Sequence, residues 1–575
     1  MNREWMIAPS WDGCAEAARR WDVPPLVAQI LFNRGIGLDT NPAAFLDPQL
    51  RDLHPPDLLP GARDAGRRIA EAVRARRRIL IYGDYDVDGI TATAILWHLL
   101  RLAGADARFY VPHRVEEGYG LNADALRSIA ADGAEVVVTV DCGVTACAAA
   151  ALARELKLEL IITDHHTLGS GLPEAAALVH PAIGEGYPNR EISGSGVAFK
   201  LAWAVAQELC AAERVSAEYK AFLMTCALPL ASLGTIADVV SLTGENRIIA
   251  RHGLAALRSS PLPGLKALIE SAGLSGAAIE GNDVGFKLAP RLNAAGRMGH
   301  ARLAVELLTG ANENRAREIA LYLEEHNRGR QAMERKISKQ AFEMIERDGW
   351  DRDGRRGIVL SAESWHAGVL GLVASRVVGR FHKPTVVISL ENGSGQGSGR
   401  SIHRFDLHGA LTACGEHLRS FGGHAMAAGL KIDTSRLDDF RDAFVAHANR
   451  TLTAADLRPR LLLDAEAPLG VMDVRTVAAI NGLGPFGNGN PQPLLATDWL
   501  TLDGEPRCVG KNGDHVQATF SQDGVVTRAI AFGQSAVADK LKQHRRCKVA
   551  FEPIINEFNG RRSVEMQVVD FRFPA

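Results

Sequence analysis

The sequence predicts an α/β protein: a parallel-sheet lobe, a long connector helix, a second α/β lobe and a carboxyl-terminal antiparallel β domain, either a barrel or a sandwich. Three observations carry that prediction. Short β-branched runs alternate with alanine- and leucine-rich segments from Ile79 to about His180. A proline-free, charge-laced stretch follows at 303–348, and beyond Leu461 apolar and polar residues alternate.

Alternating strands and helices are the pattern of βαβ units and so of a parallel sheet. The strands are expected at 79–82, 107–111, 136–140 and 160–163, where nearly unbroken apolar composition suits strands covered on both faces. Helices are expected at 90–103, 123–131 and 145–156. In 303–348 the only glycines are Gly310 and Gly329, and Arg315, Glu318, Glu324, Glu325, Arg328, Arg330, Glu334 and Arg335 interleave with apolar residues. That is the pattern of a long, partly exposed helix, read here as a connector; two ordinary helices broken near Gly329 fit as well. The second α/β block has strands at 357–360 and 385–388 and a glycine-rich run at 393–400. Alternation at 515–520 and 562–568 marks the β tail. The expected boundaries are an amino-terminal helical segment at 1–50, a catalytic lobe at 51–302, the connector at 303–348, the second lobe at 349–455 and the tail at 456–575.

With 575 residues the chain exceeds the size of one hydrophobic core, roughly 250 to 300 residues. At 46% hydrophobic and 23% charged residues the composition is that of an ordered globular protein. No run is seen that approaches the roughly 20 apolar residues of a membrane span, and residues 1–5 lack a basic-then-apolar leader, so a cytoplasmic protein without a membrane partner is expected. The eight cysteines form no C-x-x-C pair, which argues against structural zinc or a redox couple. Net charge is −2, so any nucleic-acid site has to be a local patch.

The residues that carry chemistry sit after strands. Asp84, Asp86 and Asp88 follow the first strand and open the first helix; Asp141 follows the third; Asp164, His165 and His166 follow the fourth. Ligands gather outside the carboxyl ends of strands in open α/β sheets, so five aspartates and two histidines converge on one sheet edge. Such an anionic cluster repels itself unless cations neutralise it. Carboxylates with one or two imidazoles suit Mn²⁺ or Mg²⁺. Two ions roughly 3.5 to 4 Å apart activate a water and stabilise both oxygens of an in-line phosphoryl displacement, with Asp141 as the candidate bridging ligand. The bland readings are a calcium loop or single helix caps. An EF-hand would need glutamate where Ile95 stands, and a lone strand-end aspartate is often a cap. Of the seven, Asp164 best fits a purely structural role, orienting the histidine pair.

These motifs resemble the DHH phosphoesterase superfamily: the 84–89 run, Asp141-Cys142-Gly143, the literal Asp164-His165-His166, and Gly234-Thr235-Ile236-Ala237-Asp238-Val239-Val240. The resemblance implies metal ligation by Asp84, Asp86, Asp88, Asp141, His165 and Asp238, with His166 on the scissile phosphate. Asp141, His165 and His166 are the candidate catalytic residues. Read from its surroundings alone, Asp238 equally fits a buried helix cap. One departure is Tyr82, where small-molecule relatives carry a ligating histidine and Asp84 would have to compensate.

Blocks at 110–114, 290–297, 397–401, 421–425 and 484–491 are similar, in order, to the RecJ family within that superfamily. That resemblance implies 5′→3′ exonuclease action on single-stranded DNA in repair and recombination, a DHH lobe, a DHHA1 lobe and an OB-fold. It also implies that Arg114, Arg297, Ser398, Gly399 and Arg400 hold the terminal phosphate or nearby backbone, and that His424 lines the strand's path. Glycines from 393 to 399 would let amides approach a phosphate and Arg400 grip it, although a surface hairpin fits the run as well. Arg114 also fits pairing with Glu116 and Glu117, and His424 an ordinary hydrogen-bonded histidine. In the β tail, Phe558, Arg561, Arg562, Lys511 and Lys548 are candidates for single-strand contact, while Phe551, Phe571 and Phe573 read as core. A helicase and a single-strand-binding protein are expected partners, and the chain is expected to act as a monomer. The rivals are a DHH hydrolase of short RNAs, cyclic dinucleotides or polyphosphate, and a scaffold that has lost catalysis. The added β domain opposes the first, and the intact Asp86, Asp88, Asp141, His165 and His166 oppose the second.

Overall fold

A computed structural model describes residues 3–113, 117–297, 300–352 and 354–574, without the side chain of Arg297. The chain forms two compact units, one of Ile7–Glu324 with Leu462–Ala575 and one of Met1–Met6 with Glu325–Leu461.

The larger unit holds a five-stranded, all-parallel sheet of β1 (Ile79–Tyr82), β2 (Ala107–Tyr110), β3 (Val136–Thr139), β4 (Glu159–Thr163) and β5 (Ala177–Val179), in the order β2-β1-β3-β4-β5. Val136, Val138 and Ile161 pack on one face with α1 (Ala62–Arg74), α2 (Val87–Leu102) and α5 (Gly194–Cys210). Val137, Leu160 and Ile162 pack on the other with α3 (Ala123–Ala131) and α4 (Cys147–Glu155). Both faces are covered, which is why the strands read as unbroken apolar runs. Tyr82 pairs with Thr139 and Val138 with Ile161, so the carboxyl ends of β1, β3 and β4 open on one edge. The strand β5, three residues long, is too short to show in the sequence pattern.

Beyond the sheet lies a helical layer that includes α6 (Leu228–Ala237) and α7 (Gly244–Leu257). One helical stretch, Ala217–Ala237, is long and apolar enough to cross a membrane by length and composition, contrary to the expectation that no run comes close. Its apolar residues serve the core instead, since Leu228, Leu230, Ala231 and Leu233 are buried against α5 and α2.

The stretch expected as one connector helix is two, α9 (Ala301–Leu308) and α10 (Glu313–Arg347), separated at Gly310 rather than at Gly329. The break is chemical. Thr309 turns its hydroxyl back onto the Val305 carbonyl at 2.7 Å, and Asn312 caps α10 by accepting from the Arg315 amide at 3.0 Å. Gly329 lies inside α10, where open space faces the position of a Cβ.

In the smaller unit the sheet order is β9-β10-β8-β7-β6, with β6 (Ile358–Ala362), β7 (Thr385–Glu391), β8 (Ser394–Arg400), β9 (Ser420–Gly423) and β10 (Ala427–Asp433). Only the β6–β7 pair is parallel. One face packs on α11 (Leu370–Phe381) and on Ile337, Ala341 and Ile345 of α10; the other packs on α12 (Leu407–Ala413) and α13 (Leu437–Thr451).

The carboxyl-terminal strands β11 (Leu500–Val509), β12 (His515–Gln522), β13 (Val525–Ala531), β14 (Arg546–Phe558) and β15 (Arg561–Arg572) pair in a closed ring, β14-β11-β12-β13-β15-β14. A ring of strands is a barrel, which decides against the sandwich. It is not wholly antiparallel, because β13 and β15 run parallel where the ends of the sheet meet. Phe551 is core, as its alternation suggests, whereas Phe558 is 72% exposed. Residues 1–50 contain the helices Cys14–Trp21 and Pro25–Asn33 but also the strand Glu4–Ile7. Val27, Ile30 and Leu31 enter the barrel's core beside Leu469 and Val477.

Candidate metal centre

The loop after β1 brings three carboxylates to the open edge. Asp86 caps α2 by accepting from the amides of Asp88 at 2.9 Å and Gly89 at 3.2 Å. Asp88, in the first turn, accepts through both oxygens from the amides that begin α5, Gly194 at 2.6 Å and Ser195 at 2.9 Å. The positive end of a helix thus stabilises that buried charge. Asp141 stands just past β3 at φ 61°, a left-handed conformation unusual for an aspartate. His165 stands just past β4, and its Nε2 lies 3.1 Å from Asp141 Oδ1 and 3.7 Å from both Asp88 Oδ2 and Asp238 Oδ2. Asp238 reaches the cluster from the carboxyl end of α6, which it caps.

Three overlapping groups could each hold a cation: Asp84 with Asp86 and Asp141; Asp88 with His165 and Asp238; Asp141 with His165 and His166. Within each, the ligand atoms lie within 4.8 Å of one another. Asp141 and His165 each belong to two groups; of the two, the carboxylate has two oxygens to share between cations, the position a bridging ligand takes. Asp141 Oδ1 and His165 Nε2 are buried, and among the described residues neither has a hydrogen-bond partner. Buried acceptors without donors are costly, and a hard divalent cation ligated by oxygens and one imidazole satisfies them.

The electrostatics agree. Burial, reinforced by the carboxylates of Asp88, Asp86, Asp84 and Asp238, pushes Asp141 well above the usual carboxylate range. Burial and Asp88 raise Asp86, and burial with Asp88 and Asp86 lifts Asp238 to about 8. Burial lowers His165, which favours the neutral imidazole a metal needs. His166 goes the other way. Burial would lower it, but the hydrogen bond and charge of Asp164 outweigh that and carry it to about 9.

Asp164 itself belongs to none of the three groups. Its Oδ1 accepts from the His165 amide at 2.7 Å and the His166 amide at 3.1 Å and lies 2.7 Å from His166 Nδ1; its Oδ2 accepts from the Val144 amide at 2.9 Å. Burial would raise its pKa, and these bonds together with the His166 charge lower it instead. Tyr82 takes no part: its hydroxyl donates to the Gly120 carbonyl at 2.9 Å.

The expected phosphate-holding residues fall into separate groups. Arg114 lies outside the described residues. Arg297 ends α8 (Ala289–Arg297), and the preceding Gly296 abuts the Tyr85 carbonyl, so the backbone of 297 lies near the 84–86 loop. Ser398, Gly399 and Arg400 end β8 in the smaller unit, where Arg400 Nη1 donates to Ser398 Oγ at 3.2 Å and to the Gly399 carbonyl at 2.8 Å. A Cβ on Gly371, in the first turn of α11, would lie 2.8 Å from Arg400 Nη2 and 3.1 Å from Ser398 Oγ, so a helix start joins this pair. The glycine run is not an open amide cradle but the second arm of a hairpin, turned back on β7 through Asn392 and Gly393. It is an inner strand paired on both sides, and Gly395, Gly397 and Gly399 are pressed against Ile388, Leu430 and Leu407. His424 is exposed, and its amide donates to the Ala427 carbonyl at 2.8 Å.

Sequence reasoning missed three contributors, the α5 start, Tyr119 and His180, and gave Gly234 no role beyond its place in the family motif. The α5 start, Ser193-Gly194-Ser195, has an N-cap signature, since Ser193 Oγ accepts from the Gly196 amide. Gly194 and Gly234 let backbone meet the cluster, because a Cβ on them would lie 2.5 Å from Asp141 Oδ1 and 2.4 Å from Asp88 Oδ1. Tyr119 brings its hydroxyl 3.0 Å from His166 Nδ1, and His180 brings Nε2 2.8 Å from the His166 carbonyl. No sequence pattern marks these last two.

Residues 78–228 match the DHH family, N-terminal domain; residues 354–449 the DHHA1 domain; and residues 463–570 the RecJ OB domain. The chain is 38% identical over 573 residues to the single-stranded-DNA-specific exonuclease RecJ of Bacillus subtilis, covering 98% of this chain and 70% of that one. It is 34% identical to RecJ of Dickeya dadantii, over 95% of this chain and 96% of the relative. The crystal structure of RecJ in complex with Mn²⁺ from Thermus thermophilus matches with a TM-score of 0.84 at 30% identity, covering 100% of this chain and 80% of that one. The same protein in complex with Mg²⁺ matches with a TM-score of 0.77.

Proposed function

Because the chain belongs to the RecJ family of single-stranded-DNA-specific exonucleases, we propose that the carboxylate–histidine cluster at the carboxyl edge of the parallel sheet is its hydrolytic centre. The enzyme is a metal-dependent exonuclease of single-stranded DNA that uses Mn²⁺ or Mg²⁺. The observation that carries the assignment is the buried pair of Asp141 Oδ1 and His165 Nε2, 3.1 Å apart within a shell of carboxylates and without a hydrogen-bond partner among the described residues.

Asp84, Asp86, Asp88, Asp141, His165 and Asp238 would hold two ions. Such ions, when bound, polarise the phosphoryl oxygens and make a water nucleophilic at neutral pH. The α5 amides fix Asp88, and Asp164 fixes the histidine pair. His166, which Asp164 raises to about 9 in the metal-free site, would keep a proton available to the oxygens of the scissile phosphate. Ser398 and Arg400, with Arg114 and Arg297, would hold the terminal 5′ phosphate and set 5′→3′ polarity; an arginine grips phosphate bidentately, which supports Arg400 in that role. Gly399 would then contribute its place in the strand rather than an open amide, and His424 would line the path. In the cell the enzyme would act as a cytoplasmic monomer in repair and recombination, with a helicase and a single-strand-binding protein supplying and clearing its substrate.

The test is nucleotide release from single strands blocked at one end. A 5′ block should stop release and a 3′ block should not, and Arg400→Ala should weaken the preference for a 5′ phosphate. Release that is indifferent to the 5′ block would refute the polarity, and equal turnover of RNA would refute the DNA preference.

A further inference from the structure

We propose that Asn488 is a positioning residue for the metal centre, fastening the turn after Asp238 so that its carboxylate stays aimed at the ions; this rests on the reading of Asp238 as a ligand. Val239, the next residue, has φ 62°, in the left-handed region that β-branched residues avoid. Its side chain is 63% exposed, so packing does not hold it there. Strained backbone persists where its surroundings over-determine it.

What holds this turn comes from 484–491, a block of the carboxyl-terminal domain with no catalytic side chain of its own. Asn488 Nδ2 donates to the Val239 carbonyl at 2.9 Å, and the Asn488 carbonyl accepts from the Leu242 amide at 2.7 Å. The two bonds bracket the turn from Val239 to Leu242. The flanking glycines allow the approach: a Cβ on Gly489 would lie 2.1 Å from Ser241 Oγ, and one on Gly487 would lie 2.7 Å from Leu242 Cδ1.

The block is itself anchored. Asn490, 1% exposed, donates through Nδ2 to the carbonyls of Leu483 and Pro485. Arg247, from α7, donates to the Gly484 carbonyl at 2.9 Å. The barrel domain therefore braces a ligand loop of the catalytic lobe through one residue, by its amide side chain and its backbone carbonyl.

The test measures Mn²⁺ binding to the full chain by calorimetry, alongside exonuclease activity as a function of Mn²⁺ concentration and melting in EDTA. Asn488→Ala should weaken Mn²⁺ binding about tenfold, the loss usual when a ligand's supporting hydrogen bond goes. Activity should return at high Mn²⁺, with melting in EDTA near that of the wild type. Asn488→Asp removes the donor but adds charge. Weaker binding supports positioning, whereas tighter binding would mean that electrostatics dominate and would overturn the proposal. Val239→Gly relieves the strained φ and should restore part of the affinity lost in Asn488→Ala. If both Asn488 variants bind Mn²⁺ like wild type while Asp238→Asn binds it weakly, the brace is wrong and the ligand reading stands. If Asp238→Asn also binds normally, the ligand reading fails and the proposal with it.

Discussion

Asp164 and His166 show how the charge of one residue is set by its neighbour. Asp164→Asn keeps the shape of the side chain but removes the charge that holds His166 at about 9. Activity should fall about 10- to 100-fold, as for other groups that orient a ligand shell. Its alkaline limb should also move down by about one pH unit or more as His166 returns toward its ordinary value. An unchanged pH profile would remove His166 from the reaction. At this scale the sequence was a good guide wherever a residue follows a strand. Asp84, Asp86, Asp88, Asp141, His165 and His166 were legible because parallel strands deliver their carboxyl ends to one edge. Asp238 was not, because it caps a helix inside an apolar run and only the family motif marks it. Tyr119 and His180 act through contacts that no local pattern encodes.

The helices and strands follow their residues closely, and their departures have local causes. The connector reads as one helix or as two broken near Gly329, yet Thr309 and Asn312 spend their side chains on backbone groups around Gly310 and divide it there. Gly329 has no such companions and stays helical. A methyl there meets nothing within 4 Å, so Gly329→Ala should raise stability by about 0.5 to 1 kcal/mol, read from denaturant unfolding. Gly194→Ala should act in the opposite way on function. Its methyl would press on Asp141, and a misplacement of about 1 Å at a reacting centre costs about 100-fold in kcat/KM; retention of wild-type kinetics would contradict the packing of α5 on the cluster. The glycine run of β8 is a hairpin arm, one of the two readings its sequence allows, but its inner place in the sheet was not legible, because alternate glycines look alike in a flexible hairpin and in a strand whose partners crowd one face.

For the molecule as a whole, the metal centre couples stability to pH. Asp238 and His166 have folded pKa values of about 8 and about 9, above those of an ordinary carboxylate and imidazole. The metal-free fold therefore binds more protons than the unfolded chain, and the associated stability is lost as pH rises through those values. In EDTA the melting temperature should fall between about pH 6 and pH 8.5, and saturating Mn²⁺ should abolish or reverse that fall, because ions replace the protons. The order of lobes and barrel was legible from the change of period along the chain. The docking of the amino-terminal helices into the barrel core, with Arg34 paired to Asp464 at 2.8 Å, was not, since nothing local links residues so far apart in sequence. The central claim is that single-stranded DNA is hydrolysed at the Asp141-centred cluster. The direct measurement is nucleotide release from end-labelled single strands by wild type and by Asp141→Ala, each with Mn²⁺ and with EDTA. Release by wild type with Mn²⁺ alone, and a loss of at least about 100-fold in the variant, is the predicted result. Release in EDTA, or a variant as active as wild type, would contradict it.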